Sequence, residues 1–182
     1  MNMRIKMRKS LLLLAVVFSL ETYGQQKDGS LCLEDIYVNR TYSPKNFGPV
    51  RWMKDNQGYS TLETNKDFGG TDIVRYEAQS GQRTVLVSAK QLIPPGQSEP
   101  LKIDNYNWSD DDSKLIVFTN TKKVWRYNTR GDYWVLNLKT GSLQQLGKSL
   151  ESSMMMFAKF SPDATRVGYV SKLNIYVEDL AT

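Results

Sequence analysis

Three times along the chain an aromatic residue opens a polar run, and a short apolar segment follows. The copies read Trp52-Met53-Lys54-Asp55-Asn56-Gln57-Gly58-Tyr59, Trp108-Ser109-Asp110-Asp111-Asp112-Ser113-Lys114-Leu115-Ile116-Val117-Phe118 and Phe160-Ser161-Pro162-Asp163-Ala164-Thr165-Arg166-Val167-Gly168-Tyr169-Val170. The polar runs are rich in Asp, Asn, Ser and Pro, which turn a chain by bonding their own backbone or by fixing φ. The apolar segments are rich in β-branched and aromatic residues and predict strands. A second strand-like landmark closes each unit: Asp72-Ile73-Val74-Arg75-Tyr76, then Tyr133-Trp134-Val135-Leu136-Asn137-Leu138, then Asn174-Ile175-Tyr176-Val177. A recurrence of roughly 50 residues lies at the long end of the periods that mark β-propeller blades.

The pattern predicts an all-β fold, a partial β-propeller of about two and a half blades of four-stranded antiparallel sheet. The blades fall at about 46–100 and 101–150, with an incomplete third at 151–182. Ser80-Gly81 and Thr140-Gly141 occupy the same relative place and predict hairpin turns, glycine being free to adopt positive φ. In the second unit the strands are expected over Ile103 to Trp108, Lys114 to Thr119, Asp132 to Leu138 and Ser142 to Leu146. The stretch from Asn120 to Tyr133 is longer and more polar than a blade hairpin requires, and loops that exceed their structural need often carry function. Beyond the leader described next, no segment has helical periodicity. Blade faces and strand edges left bare on a partial propeller predict self-association.

Arg4, Lys6, Arg8 and Lys9 precede the apolar run Leu11 to Leu20, and small or polar residues follow it. This is the order of a secretory signal peptide over residues 1–24, with cleavage after Gly24 and export to the periplasm or the exterior as the expectation. The run is shorter than the ~20 residues of a membrane span, so none is expected. Those four cations against Glu21 account for +3 of the formal net charge of +5 and leave +2 on residues 25–182. No basic stripe remains, which sets nucleic acid aside as a partner.

Cys32 is the sole cysteine, so no internal disulfide can form, and a buried or passive thiol is the expectation. The chain has no histidine, which excludes a Ser-His or Cys-His pair within it. Asp110-Asp111-Asp112 lacks the glycine and later glutamate of an EF-hand loop and reads as a solvated turn rather than a cation site; no metal or other cofactor is expected. Trp108, Trp125, Tyr127, Tyr133 and Trp134 read as blade core and inter-blade packing, with stacking on a ligand as the sharper alternative. Met154, Met155 and Met156 read as core filling. From spacing alone Arg126 is an ordinary exposed arginine.

Three segments resemble the dipeptidyl peptidase IV family of secreted serine peptidases. They are Leu33-Glu34-Asp35-Ile36-Tyr37 through Arg51-Trp52; Lys123-Val124-Trp125-Arg126-Tyr127, similar to the family's Lys-x-Trp-Arg segment; and Phe160-Ser161-Pro162-Asp163 through Asn174-Ile175-Tyr176-Val177. The resemblance implies an N-terminal propeller that gates a C-terminal α/β-hydrolase domain, and removal of X-Pro or X-Ala dipeptides from peptides with a free amino terminus. It implies a substrate-binding role for Arg126, which would hydrogen-bond a backbone carbonyl near the substrate's amino end. It also implies a homodimer for the full-length protein. The paired-glutamate motif and the Ser, Asp and His of the triad lie downstream in the family and are missing here, so no catalytic residue is assigned. A non-catalytic exported propeller used for binding or scaffolding, or an inactive truncated fragment, stays open as the alternative.

Overall fold

The segment Lys114-Leu115-Ile116-Val117-Phe118 carries apolar side chains at successive positions, so both faces of its strand must find cover. The fold supplies it by placing one blade on each side. A computed structural model describes residues 31–44 and 48–180. The chain divides into two units, residues 1–46 and 47–182. The signal-peptide expectation for residues 1–24 falls outside the described residues.

In the first unit the described part is one short helix, α1 (Leu33–Tyr37), capped by Cys32, whose sulfur accepts the Asp35 N–H at 3.4 Å. Five residues are too few for an apolar period to show, so the expectation of no helix missed it. The helix buries none of its residues, and of the two expectations for the Cys32 thiol, buried or passive, burial is corrected: it is exposed.

The second unit is built from β1 (Arg51–Trp52), β2 (Gly58–Thr64), β3 (Thr71–Glu77), β4 (Arg83–Val87), β5 (Asn105–Trp108), β6 (Lys114–Val124), β7 (Tyr127–Asn137), β8 (Leu143–Gln145), β9 (Met155–Phe160), β10 (Arg166–Ser171) and β11 (Asn174–Asp179). A 3-10 turn, Ala89–Leu92, follows β4. Strands β1 to β4 form one antiparallel sheet in chain order. Strands β5 to β8 form a second antiparallel set, and β9 to β11 a third. The second and third are joined through the pairing of Gly131 with Met155. No sheet closes on itself among the described residues.

Burial follows the period-2 geometry of the strands. Leu115, Val117 and Leu136 turn to one side and pack with Ile73, Val87 and Leu92 of the first blade and with Ile103 and Tyr106. Ile116, Tyr133 and Val135 turn to the other side and pack with Met155, Ala158, Val167 and Tyr169 of the third. Polar bridges span the same seams. Ser60 Oγ accepts Trp108 Nε1–H at 2.9 Å and shares a hydrogen bond with Tyr106 Oη at 3.0 Å, while Lys114 Nζ donates to the Ala164 carbonyl at 2.7 Å. The far face of the third blade is open, with Ile175 and Val177 exposed.

The three repeated polar runs are one turn built three times. In each, an N–H is donated back to the residue after the opening aromatic: Asn56 to Met53, Asp112 to Ser109 and Ala164 to Ser161, at 3.1, 3.0 and 2.9 Å. Each then holds a residue in the left-handed region, at φ 55, 52 and 55° for Asn56, Asp112 and Ala164. In each, the aspartate one position earlier accepts the N–H of the residue two positions beyond itself. These are Asp55 from Gln57, Asp111 from Ser113 and Asp163 from Thr165, at 2.9, 3.1 and 3.1 Å. In the second and third turns a serine hydroxyl adds to this, Ser109 on Asp111 and Ser161 on Asp163. The tri-aspartate run is therefore a strand connection, as read, with Asp111 engaged by its own turn.

Two expectations come from this packing. Replacing Leu115 by Ala leaves a cavity between the first and second blades and should cost about 2–5 kcal/mol in urea unfolding, whereas Ile175→Ala on the open face should change stability by less than about 0.5 kcal/mol. The hydroxyl of Ser161, then the Thr165 N–H and hydroxyl, hold Asp163 down to about 2 from its ordinary 3.8. These bonds favour the charged form, so their stabilisation is complete above pH ~4 and is lost as the pH falls toward ~2. The melting temperature of Asp163→Asn should accordingly fall less steeply than the wild type's across that window; identical slopes would contradict it.

Candidate functional site

The long polar stretch holds a β-hairpin arm. Strands β6 and β7 continue beyond the regular pair Thr119 and Asp132, through Lys122 opposite Arg130 and Lys123 opposite Asn128, to Val124 opposite Tyr127. Trp125 and Arg126 form the tip, with Trp125 in the left-handed region at φ 62°. The sequence concealed the arm because Asn, Thr, Lys and Arg show no apolar alternation; backbone pairing, not burial, makes these residues a strand. The register slips twice at its base, between Thr119 and Lys122 and between Lys122 and Lys123. One extra residue on β6 and one on β7 make paired bulges that re-aim the arm.

Trp125 and Tyr127 correct the packing expectation: they are 94% and 74% exposed and lie outside both apolar clusters. Tyr133 does pack as expected, stacked on Phe118 with ring centroids 4.6 Å apart, and Trp108 and Trp134 line the first seam. Met155 is buried, with Met154 and Met156 partly so. Arg126 is exposed and makes no hydrogen bond or ion pair among the described residues. The arm's own charges, Lys122, Lys123, Arg126 and Arg130, are all positive, so no carboxylate of the arm competes for the guanidinium.

The base of the arm is tied on both sides. Thr121 Oγ1 donates to Asp104 at 3.0 Å and accepts Asn128 Nδ2–H at 3.0 Å. Opposite, Asn120 Nδ2 and Ser152 Oγ donate to Asp132 Oδ2 at 2.7 and 2.8 Å. Gly131 lies where no side chain fits, since a Cβ there would stand 2.7 Å from the Thr119 carbonyl oxygen and against the Phe118 ring. A cavity of about 250 Å³ opens beside the base, bounded by Asn105, Asn107, Asn128, Phe118, Phe157 and Lys159. Among the described residues no group of three or more His, Cys, Asp or Glu is placed to hold a metal ion, and no helix is long and apolar enough to cross a membrane.

Repeated antiparallel sheets packed face to face, with an exposed tryptophan-arginine tip on the second, define a propeller-type fold. Residues 109–182 match the family model of the dipeptidyl peptidase IV N-terminal region. Dipeptidyl aminopeptidase B of Saccharomyces cerevisiae is 27% identical over 158 residues, which is 82% of this chain and 18% of that protein. Human prolyl endopeptidase FAP is 27% identical over 149 residues, again 82% of this chain and 18% of that protein. Among solved structures, dipeptidyl peptidase 4 of Porphyromonas gingivalis shares the fold with a TM-score of 0.66 at 24% identity, over 84% of this chain and 20% of that one. Together these findings make the chain similar to the N-terminal region of dipeptidyl peptidase IV, with the fold shared by the solved peptidase. The chain spans about a fifth of the length of the relatives it matches.

The sequence singles out Arg126 by its segment but not the residues at the base of the arm: the strand landmark of the second unit begins at Tyr133, and only alignment of Asp132 with Asp72 of the first unit brings Asp132 out. The steric demand at Gly131 gives one test. Gly131→Ala should destabilise by about 1–3 kcal/mol and shift the Gly131–Met155 pairing, seen as faster hydrogen exchange at the base of the arm.

Proposed function

We propose that this chain is the leading part of the propeller of an exported serine-type dipeptidyl peptidase, which removes X-Pro or X-Ala dipeptides from peptide amino termini. The observation that carries this reading is the exposed Arg126, unpaired among the described residues, at the tip of a braced arm, in a chain similar over four fifths of its length to a dipeptidyl aminopeptidase. A guanidinium presents parallel donors in a rigid fork, suited to a peptide carbonyl oxygen. Arg126 binds that oxygen near the substrate's amino end and sets the distance from there to the scissile bond. Its work is positioning, with no proton transferred.

The chain's partners on this reading are the peptide itself and a C-terminal α/β-hydrolase domain that brings the nucleophilic serine and its histidine, a residue type this chain lacks. Residues 1–24 act as the export leader, and the full-length protein assembles as a homodimer. The test is to capture the native exported product with an antibody against residues 48–180 and measure its intact mass and its cleavage of an X-Pro reporter. A product several times larger than this chain, active on the reporter and losing about 10- to 100-fold in kcat/KM with Arg126→Ala, is the expected result, equivalent to about 1–3 kcal/mol. A product of this chain's own size without activity would overturn the reading in favour of a binding propeller.

A further inference from the structure

A hairpin arm is only as well placed as its base, and here the base is irregular. The two bulges interrupt the ladder between Thr119 and Asn128, so regular backbone pairing cannot fix the arm's direction. Side chains take over that task. Asp132 is 7% exposed and forms the last regular pair before the bulge, with Thr119. One carboxylate oxygen accepts the Ser153 N–H at 2.6 Å; the other accepts Asn120 Nδ2–H at 2.7 Å and the Ser152 hydroxyl at 2.8 Å. Asn120 Nδ2 also donates to Ser152 Oγ at 2.8 Å, and Ser153 Oγ donates to the Asn120 carbonyl at 2.7 Å. Asn120 is the first bulged residue and sits in the left-handed region, at φ 47°. Ser152 and Ser153 lead into β9, the first strand of the third blade. One carboxylate thus joins the root of the arm to the neighbouring blade.

The first blade contains the same clamp without an arm. Asp72, 6% exposed, accepts Asn65 Nδ2–H at 3.1 and 3.0 Å on its two oxygens and the Ala89 N–H at 2.7 Å. There β2 and β3 are joined by the short connection from Asn65 to Gly70. Locking an outgoing segment to its blade is therefore the clamp's ordinary task, and the second blade extends it to a bulged arm that ends in Arg126.

We propose that Asp132 is a positioning residue for the substrate contact, fixing where Arg126 stands by tying Asn120 to Ser152 and Ser153. This rests on the reading of Arg126 given above. A charge placed through a rigid support loses its effect when the support is released, even though the charged group remains.

The test uses the full-length exported protein that begins with this chain and compares kcat/KM on an X-Pro reporter. Asp132→Asn places an amide against the Asn120 amide and is expected to lower kcat/KM roughly tenfold with Arg126 present, and less than about twofold in an Arg126→Ala background. The exchange Asn120→Asp with Asp132→Asn restores an amide–carboxylate pair and should recover most of the loss. Asp72→Asn, the same change in the armless clamp, should lower the melting temperature and leave kcat/KM unchanged. Equal losses for Asp132→Asn in both backgrounds, or an equal loss from Asp72→Asn, would overturn the inference and reduce the clamp to fold maintenance. If Arg126→Ala lowers kcat/KM and Asp132→Asn does not, this inference fails while the reading of Arg126 stands; if Arg126→Ala has no effect, that reading fails and takes this one with it. Should Asp132→Asn not fold, Ser152→Ala, which removes one donor at the surface end of the clamp, is compared in the same two backgrounds, with a smaller loss confined to the Arg126 background expected.

Discussion

Strand β6 cannot be stable with either face in water. Leu115 and Val117 on one side and Ile116 and Phe118 on the other each need apolar cover, and a single twisted sheet covers neither. Burying such side chains contributes about 1.5–3 kcal/mol apiece, so the second blade depends for its stability on being held between two others. The seams explain the remaining features of the unit. The connection from the first blade to the second buries Leu92 and Ile103 in the first seam, and the polar atoms trapped in the seams must be paired, as Ser60 is by Trp108 and Tyr106.

The two buried aspartates meet the last of those demands. A carboxylate that accepts three hydrogen bonds can lie in a blade seam without being left unsolvated, and in doing so it fastens two chain segments that no ladder joins. Asp72 fastens the exit from β4, and Asp132 fastens the approach to β9. At Asp132 the same device coincides with a pair of bulges, so the hairpin leaves the sheet as a separate arm. Its tip, with Arg126, is exposed while its root is anchored. Gly131 belongs to the same arrangement: Phe118 and the Thr119 carbonyl close the space where its side chain would be.

The repeats were legible in the chain because their physics is local. A turn in which Asp55, Asp111 or Asp163 bonds the backbone two residues on is written within seven residues, and so is the apolar segment that follows. The three-fold recurrence of these units therefore predicts strands and turn positions that the tertiary structure reproduces, and the structure adds the left-handed backbone at Asn56, Asp112 and Ala164. Trp125, Tyr127 and Arg126 were harder. Aromatic residues next to strands usually enter a core, and only the pairing of Lys122 with Arg130 and Val124 with Tyr127 carries these out into solvent.

What the amino-acid sequence determined by itself was the set of short-range structures: strands, Asx-type turns, glycine hairpins and the absence of a histidine-based catalytic pair. What only the tertiary structure decided was which residues meet across long separations. Asp132 with Ser152 and Ser153, Ser60 with Trp108, and Leu115 with the first blade are separated by about 20 to 50 residues, and nothing in local propensity marks such pairs. Burial, bulge geometry and the direction of the arm follow from those encounters, because the seams between blades exist only once the blades have packed.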